Sequence, residues 1–411
     1  MEPGWLIIGL SAGRESIVRE VAESQALREL LGMAARDIDA IAVLNPATRT
    51  ALGEGIPEFG GCGLTVLLPW QRSPVLGLQY DRYDVQSFCC AAPIAREILG
   101  REGDGGISVF CFHLLEEVAQ GRQVLKSLSV RQVGRLRPNL PIAFDAHAYT
   151  VVMAHRGQAR HLRAALSHIG TIRGTGGKIM VGLDIDDADL ASNEDVAAAF
   201  PQVEFFRISP SPAGPYVVRS KLLKQVTDPL ILFHDSDDLS CSDRAEKLTA
   251  ALEENGVGMV GSQELRLDEL SKRVVAVRYP LDVNGALGIG PALAQLHPST
   301  VIRRELYERI GGFSTHVIFS GDTQLLLRAF FHTKVRNVDE FLYIRRKHPD
   351  ALTVRPDTGN GTPARIRTEA PWWADFARVK AGMRKLEESS LRRFDSQTTY
   401  ELERVFQHVS Q

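Results

Sequence analysis

The sequence is poor in cysteine and has no excess of charge of either sign. Its 411 residues include five cysteines, an odd number, and no two of them form a Cys-x-x-Cys pair. A disulfide framework and a thiolate zinc site are therefore not expected, and we expect a reducing, cytoplasmic setting.

Lys and Arg total 48 against 50 Asp and Glu, which gives a formal net charge of −2. No overall field exists to hold a nucleic-acid backbone or an anionic membrane, so we expect no nucleic-acid partner.

Long apolar runs are also missing. The first apolar run, Trp5–Leu10, is short and follows the acidic Glu2, which is not typical of a secretion signal. No run elsewhere approaches the roughly 20 residues that span a bilayer. We therefore expect no transmembrane segment.

What is present is an ordinary globular composition, with 44% hydrophobic and 24% charged residues. At about 150 residues per domain, this length predicts two or three domains. Residues 1–140 alternate short apolar runs with helical patterns over 15–33 and 85–99, which predicts an N-terminal α/β region of unknown role. Two prolines and an asparagine around residue 139 predict a boundary there.

The second region, residues 143–353, alternates strands and helices more regularly. The apolar runs predict strands over 149–153, 178–183, 203–206 and 229–233. Helical spacing predicts helices over 158–169, 193–200 and 242–253. Such alternation predicts a mostly parallel sheet flanked by helices, and ligands of such sheets bind outside the carboxyl ends of the strands.

The third region, residues 354–411, begins with a Gly- and Pro-rich segment and continues as a mixed-charge helical tail. Residues 353–363 are predicted to form a mobile lid. The tail carries an apolar set that we expect to dock on the protein or on a twin subunit: Trp372, Trp373, Phe376, Leu386, Phe394 and Leu402. A homodimer through this tail or through the N-terminal region is therefore an open alternative.

Three carboxylates follow the apolar run 229–233, namely Asp235, Asp237 and Asp238. Like charges this close repel one another unless a cation lies among them. Hard oxygen ligands suit Mn²⁺ or Mg²⁺, which in turn bridge phosphate oxygens, so the cluster predicts a divalent ion holding a nucleotide diphosphate. The chain also contains Asp184-Ile-Asp186, and an acidic turn alone fits a helix cap or a solvated loop as well.

The order of motifs resembles family 2 glycosyltransferases with the GT-A fold, over about residues 149–353. The resemblance is carried by Ala154-His-Arg-Gly-Gln158, Asp184, Arg219, the run Leu232-Phe-His-Asp-Ser-Asp-Asp238, and Tyr307-Glu-Arg-Ile-Gly-Gly-Phe313 followed by Asp322. The first of these departs from the Pro-Thr-Tyr-Asn-Arg common in the family. The resemblance implies a GT-A Rossmann-like, mostly parallel sheet flanked by helices. It also implies a metal-dependent, inverting transferase that moves a sugar from a nucleotide diphosphate sugar, a UDP-sugar, to an acceptor hydroxyl.

The resemblance also implies roles for single residues. Asp237 resembles the principal metal ligand, and His348 the histidine that completes the metal shell in some relatives. Asp322 resembles the general base, with a helix cap as the alternative reading. The residues implied in donor binding are Ala154, His155, Arg156, Asp184, Arg219, Asp235, Ser236 and Arg345. Among these, Asp184 would accept a hydrogen bond from uracil, His155 and Arg156 would line the base pocket, and the two other arginines would contact the diphosphate, with Lys221 a further candidate.

Other functions stay open at this stage. Two Asp-x-Asp sequences after apolar runs would suit an aspartyl-nucleophile phosphatase, although Ala188 and Leu239 stand where such enzymes carry Thr or Val. A sugar nucleotidyltransferase would share the fold and the metal, but the first strand is followed by a single glycine, Gly157. A non-catalytic protein that binds a nucleotide sugar or scaffolds a partner is the third alternative. Residues 259–297 are the expected place of acceptor recognition, and the acceptor itself is not predicted.

Overall fold

The structure is a computed structural model. It describes residues 5–10, 17–34, 40–52, 64–69, 82–99, 106–123, 125, 128–133, 148–169 and 177–406. The boundary predicted around residue 139 lies outside these described residues.

The N-terminal region is an α/β unit with one six-stranded sheet in its described part. The region has seven described strands, of which all but β5 form this sheet: β1 (Trp5–Leu10), β2 (Ile17–Val21), β3 (Ala40–Leu44), β4 (Leu64–Pro69), β5 (Arg82–Asp84), β6 (Phe88–Ala91) and β7 (Leu128–Val133). Its helices are α1 (Glu23–Ala34), α2 (Pro46–Leu52), α3 (Ala92–Leu99) and α4 (Gly106–Ala119). The strand order is β2-β1-β3-β6-β4-β7, and β4 and β7 run parallel.

Two helices predicted in this region are wrong in their first halves. The pattern over 15–33 resolves into strand β2 followed by helix α1, and the pattern over 85–99 into strand β6 followed by helix α3. In β2 the β-branched Ile17, Val18 and Val21 favour an extended backbone. In β6, Phe88 lies opposite Val43 of β3, a pairing between distant segments that a local pattern does not reveal.

The second region, together with the C-terminal tail, is built on a larger sheet. Its strands are β8 (Tyr149–His155), β9 (Lys178–Leu183), β10 (Val203–Ser209), β11 (Leu230–Asp235), β12 (Leu239–Ser240), β13 (Val257–Asp268), β14 (Arg273–Val277), β15 (Val301–Arg303), β16 (Lys334–Lys347) and β17 (Glu401–Val405). Its helices are α5 (Ala159–Ile169), α6 (Asp187–Ser192), α7 (Glu194–Ala199), α8 (Pro215–Leu223), α9 (Arg244–Leu252), α10 (Val283–Ile289), α11 (Arg304–Arg309), α12 (Gly321–Ala329) and α13 (Pro363–Lys380).

The centre of this sheet is parallel, which confirms the α/β class predicted for the region. Its main path runs β12-β16-β13-β15-β11-β8-β9-β10-β17. The neighbours β11, β8, β9 and β10 all run parallel, while β15 and β17 pair antiparallel on either side of this block. Since β8 and β11 are parallel neighbours, Ala154 lies directly beside Asp235 at the carboxyl edge. The strands and helices predicted in this region are confirmed to within three residues at each end.

Helix α8 packs directly on the parallel strands. Its Val218 shares a buried core cluster with Val152 of β8 and Phe233 of β11. A side chain at Gly182 of β9 would collide with Val218, so glycine is needed there for the close approach. This packing fixes α8 behind the carboxyl edge of the sheet, and two of its polar side chains reach that edge.

The C-terminal tail docks on its own chain. Trp372 is 4% exposed and Phe376 is 3% exposed, and both belong to the core cluster that contains Val218. The tail predicted as helical is a helix only in its first part, α13; irregular chain follows, and strand β17 then extends the sheet at β10. None of the helices in the described ranges is both long and apolar enough to cross a membrane.

Candidate active site

The three carboxylates of the predicted cluster lie together at the carboxyl end of β11. Asp235 is the last residue of the strand, and Asp237 and Asp238 lie in the turn that follows. One ligand oxygen from each lies within 4.8 Å of the others. Asp235 and Asp237 are half-buried, while Asp238 is 2% exposed. The turn therefore concentrates negative charge at the edge where parallel sheets bind ligands.

Each carboxylate has a partner from a distant part of the chain. Arg219 of α8 donates to Asp235. His348 Nε2 lies 2.9 Å from Asp237 Oδ2. Asp238 Oδ1 accepts a 2.7 Å hydrogen bond from the backbone N–H of Arg346. The structure thus brings Arg219 and His348, both named as candidates from sequence, to the acidic turn.

Burial and mutual repulsion give these carboxyls different proton affinities. Burial raises the pKa of Asp238 well above its usual value, and the charges of Asp237 and Asp235 raise it further. Burial also raises the pKa of Asp235, against the opposing charge of Arg219. The pKa of Asp237 is lowered, because the hydrogen bond and charge of His348 outweigh the effect of burial. The repulsion that favours protons on these carboxyls would equally favour a bound metal cation, which would lower the electrostatic energy of the three carboxylates.

The donor set of this turn fits a divalent cation. It offers carboxylate oxygens and an imidazole nitrogen, which suit Mn²⁺ or Mg²⁺. Asp237 and His348, whose Oδ2 and Nε2 lie 2.9 Å apart, are the side chains that would hold such an ion.

Asp322 lies near the start of helix α12 and accepts a hydrogen bond from Tyr216. The distance from Tyr216 Oη to Asp322 Oδ1 is 2.8 Å. Burial would raise the pKa of Asp322, but the facing His297, the Tyr216 hydroxyl and the amide of Thr323 bring it below its usual value. Asp322 is therefore a carboxylate at neutral pH, as a general base requires.

Tyr216 is a site residue that the sequence analysis missed. It lies three residues before Arg219 on α8, and residues three apart share a helix face. The same face of α8 therefore contacts Asp235 through Arg219 and Asp322 through Tyr216. The spacing to Arg219 is the one sequence signal that could have identified it.

Asp184 has a different setting from Asp237. Its carboxylate is 2% exposed and accepts hydrogen bonds from Ser211 Oγ at 2.9 Å, Ala213 N at 2.8 Å and Gly214 N at 2.9 Å. Asp186 caps helix α6 by accepting from the N–H of Asp189 at 3.0 Å. The second Asp-x-Asp sequence is thus engaged with loop and helix backbone, which disfavours the phosphatase alternative. A contact of Asp184 with a nucleotide base stays a prediction.

His155 lies inside the site and not on its surface. It is 1% exposed, and its Nδ1 lies 2.9 Å from Ser236 Oγ in the middle of the acidic turn. Arg156 is the more accessible of the two, with its side chain 58% exposed and Nη1 3.8 Å from Asp184 Oδ1. His155 therefore contacts the acidic turn through Ser236. Stacking on a nucleotide base stays a prediction, and the exposed Arg156 is the better placed of the two for it.

Three cations follow one another at the end of β16, and the first two act on the acidic turn: Arg345 through its charge on Asp235 and Arg346 through its charge on Asp237. Arg345 Nη2 also donates to Thr353 Oγ1 at 2.7 Å. Lys347 instead pairs with Asp268 at 2.8 Å. Lys221 donates to the carbonyl of Tyr400 in the tail, so its contact with phosphate is not supported.

Arg365 ties the segment predicted as a lid to the helix that carries Asp322. Its guanidinium donates to the carbonyls of Thr358 and Leu352 and to Ser320 Oγ, at 2.9, 3.2 and 2.6 Å. Ser320 directly precedes helix α12. The segment is thus linked to the site in this conformation, and its closure over a donor stays a prediction.

The sequence matches no protein-family model and no curated protein. Solved structures similar to this chain include S. aureus TarS 1-349 in complex with UDP-GlcNAc, at 13% identity and a TM-score of 0.43, covering 56% of this chain and 73% of that one. A second is the mannosyltransferase PcManGT from Pyrobaculum calidifontis in complex with GDP-Man and Mn2+, at 15% identity and a TM-score of 0.42, covering 71% and 76%. A third is GalNAc-T7 with UDP, GalNAc and Mn2+, at 11% identity and a TM-score of 0.43, covering 60% and 53%. All three TM-scores are below 0.5, so the function of this chain has to be inferred from its own site.

Proposed function

We propose that this chain is a metal-dependent, inverting glycosyltransferase of the GT-A type and of family 2. It would transfer a hexosyl or N-acetylhexosaminyl group from a UDP-sugar to an acceptor hydroxyl. One observation carries the proposal: α8 joins an acidic turn that fits a divalent cation to a separate, ionised carboxylate, through Arg219 on Asp235 and Tyr216 on Asp322. A single displacement needs a donor site and a base beside each other, and adjacent residues of one helix face contact both.

The acidic turn accounts for the donor half of the reaction. Asp237 would hold Mn²⁺ or Mg²⁺, with His348 beside it and Asp235 and Asp238 adding negative charge. A bound divalent ion neutralises the charge that develops on a departing diphosphate. Arg345, whose charge already acts on Asp235, would face the same phosphates.

Asp322 accounts for the acceptor half. Its carboxylate is ionised at neutral pH, and Tyr216 holds one of its oxygens. It would accept the proton of the acceptor hydroxyl while that oxygen attacks the anomeric carbon. Removal of a proton by a positioned carboxylate contributes on the order of 10²–10⁴ in rate. One displacement opposite the leaving diphosphate inverts the anomeric configuration.

The test is the release of UDP from a panel of UDP-sugars by the full chain with Mn²⁺. Asp322→Asn should bind UDP with Mn²⁺ as the wild type does, and should lose turnover by about 10²-fold or more. Asp237→Asn should weaken binding of UDP only when Mn²⁺ is present. Asp186→Asn is the matched control, because asparagine caps a helix as well as aspartate does, and it should change neither quantity.

Three results would reject the proposal in different ways. Binding of UDP without release from any donor would favour a binding module. Formation of a UDP-sugar from UTP and a sugar phosphate would favour a nucleotidyltransferase. Equal turnover in Asp322→Asn and the wild type would remove Asp322 from the reaction.

A further inference from the structure

The turn that leads into helix α12 is held from two sides. Asp322 is the second residue of this helix, and Ser320 directly precedes the helix. A side chain at Gly321 would collide with the ring of Tyr216, so α8 packs closely against the turn on one side. On the other side lies α13, the helix of the C-terminal tail, two of whose side chains bond Ser320. The place at which α12 begins is therefore defined by contacts with both helices.

Ser320 has a backbone conformation that serine rarely adopts. Its φ is 59°, in the left-handed region, where a residue with a side chain costs about 1–2 kcal/mol and glycine is the usual choice. A serine that precedes a helix normally accepts a hydrogen bond from an N–H of the first turn. Within the described chain, the side chain of Ser320 makes no such cap. The local structure of α12 therefore does not explain a serine at this position.

The hydroxyl of Ser320 is instead engaged with α13. Its Oγ accepts a 2.6 Å hydrogen bond from Arg365 Nη1 and donates to Glu369. The guanidinium of Arg365 also lies over the ring of Phe319, 5.0 Å from its centroid. Ser320 is 2% exposed, so water has little access to these contacts. Arg365 thus holds the two residues that precede α12, one by a hydrogen bond and the other by stacking.

Arg365 is itself fixed by further contacts. Its Nε donates to the carbonyl of Thr358 at 2.9 Å, and its Nη2 to the carbonyl of Leu352 at 3.2 Å. Glu369, one turn along α13, lies 3.7 Å from its Nη1. A guanidinium presents its donors in a rigid plane, so a side chain bonded at three points has little freedom to move. Arg365 is therefore suited to hold a position as well as to supply a charge.

We propose that Arg365 is a positioning residue that fixes the start of α12 and thereby the place of the Asp322 carboxylate. It acts through Phe319 and Ser320. The proposal rests on the proposed function, in which Asp322 is the base. Tyr216 holds one oxygen of that carboxylate, whereas Arg365 holds the backbone that carries it. The C-terminal tail thus supplies a part of the reaction site and is more than a docked helix.

The experiment uses the full chain, with UDP plus Mn²⁺ as the binding probe and release of UDP from the best UDP-sugar as the reaction. Arg365→Ala removes all contacts of the guanidinium. Ser320→Gly removes only the hydroxyl, tolerates the positive φ and leaves the other bonds of Arg365 in place. Arg355→Ala is the matched control, because the Arg355 side chain is 47% exposed and pairs with Asp357 in the neighbouring segment. Melting temperatures report whether each variant folds.

We expect Arg365→Ala to lower turnover by about 10- to 100-fold, the effect of a misplaced catalytic group. Ser320→Gly should lower turnover about tenfold, because it removes one hydrogen bond to a charged group, while the Kd for UDP with Mn²⁺ stays within about twofold. Arg355→Ala should change neither quantity. The double variant should be no slower than Arg365→Ala alone, because the effects of residues joined by one contact are not additive.

Hydrogen–deuterium exchange gives a second readout that does not depend on turnover. Peptides covering residues 319–326 should exchange faster in Arg365→Ala than in the wild type or in Arg355→Ala, because the start of α12 loses one of its two supports. Unchanged exchange in these peptides would show that Arg365 does not hold the turn.

Other outcomes also overturn the proposal. Turnover of Arg365→Ala equal to that of Arg355→Ala would show that the guanidinium has no role. Equal losses of UDP binding and turnover in Ser320→Gly would place its effect at the donor site. Full turnover of Arg365→Lys, which keeps the charge without the planar fork, would assign the effect to charge instead of position.

Two cases need separate treatment. If Arg365→Ala does not fold, full turnover of a folded Ser320→Gly would overturn the proposal in its place. Failure of the wild type to release UDP from any donor would reject the proposed function itself. The exchange measurement would then still report whether Arg365 holds the start of α12, so the two failures are distinguishable.

Discussion

Replacement of His168 by phenylalanine should flatten the dependence of stability on pH. His168 is 1% exposed, and burial lowers its pKa to about 4, against 6.5 in the unfolded chain. A group with a lowered pKa in the folded state binds its proton better when unfolded. Its stabilising contribution is therefore complete above pH 6.5 and is lost as the pH falls towards 4.

The magnitude follows from the two pKa values. The full difference is worth about 3 kcal/mol, and about 2 kcal/mol of this is lost between pH 7 and pH 5. Burial lowers the pKa of His155 and His161 in the same direction, to about 4 and about 3. Asp238 opposes them, because its pKa is raised and its protonation favours the folded state as the pH falls. A comparison of the wild type with one variant cancels these other groups.

The assay is urea unfolding followed by tryptophan fluorescence at pH 7, 6 and 5. We expect the wild type to lose about 2 kcal/mol more than His168→Phe between pH 7 and pH 5. At each step in pH, the free energy of unfolding should fall less for His168→Phe than for the wild type. Parallel pH profiles for the two proteins would refute a neutral, buried His168.

Three further predictions follow from contacts described above. Tyr216→Phe should lower turnover about tenfold, because it removes one hydrogen bond to a charged group, and should leave UDP binding unchanged. A loss of UDP binding would contradict the view that Tyr216 acts on Asp322. Mn²⁺ alone should raise the melting temperature of the wild type and not that of Asp237→Asn. Thermal shift measures both, and addition of EDTA should reverse the rise. An equal rise in the two proteins would exclude the acidic turn as the metal site. Trp372→Ala should cost about 3–5 kcal/mol of stability in urea, whereas Met383→Ala, at an 80% exposed position, should change it by less than about 0.5; similar losses would contradict docking of the tail.

The sequence predicts the four parallel strands at the centre of the second region well because they are continuous and apolar. Strand β11 is buried from Leu230 to His234, so its length and its end at Asp235 are visible in the residues themselves. Strands β2 and β6 were missed because each is short and borders a helix, and because pairing with another strand, distant in sequence for β6, stabilises them. Local periodicity carries no information about such partners.

Site residues that belong to a sequence motif could be identified from the sequence. Residues that reach the site only through tertiary packing could not be identified as easily. Asp237 and His348 are 111 residues apart and meet as the resemblance implies. Tyr216 belongs to no motif, and its contact with Asp322 depends on how α8 packs on the sheet. His155 was expected to face a ligand, but burial and Ser236 give it an internal contact that only the tertiary structure reveals.

The pairing of β5 with β14 makes the two α/β regions one hydrogen-bonded structure. Val275 lies opposite Asp84, and Leu265 and Val274 share a buried cluster with Phe88 and Phe112 of the N-terminal region. A fragment without the N-terminal residues would leave the edge of β14 unpaired and an apolar sheet face in water, which together form a template for aggregation. Recombinant work on this enzyme candidate should therefore begin with the whole polypeptide, because a truncation at the apparent domain junction would remove part of the core that supports β13 and β16.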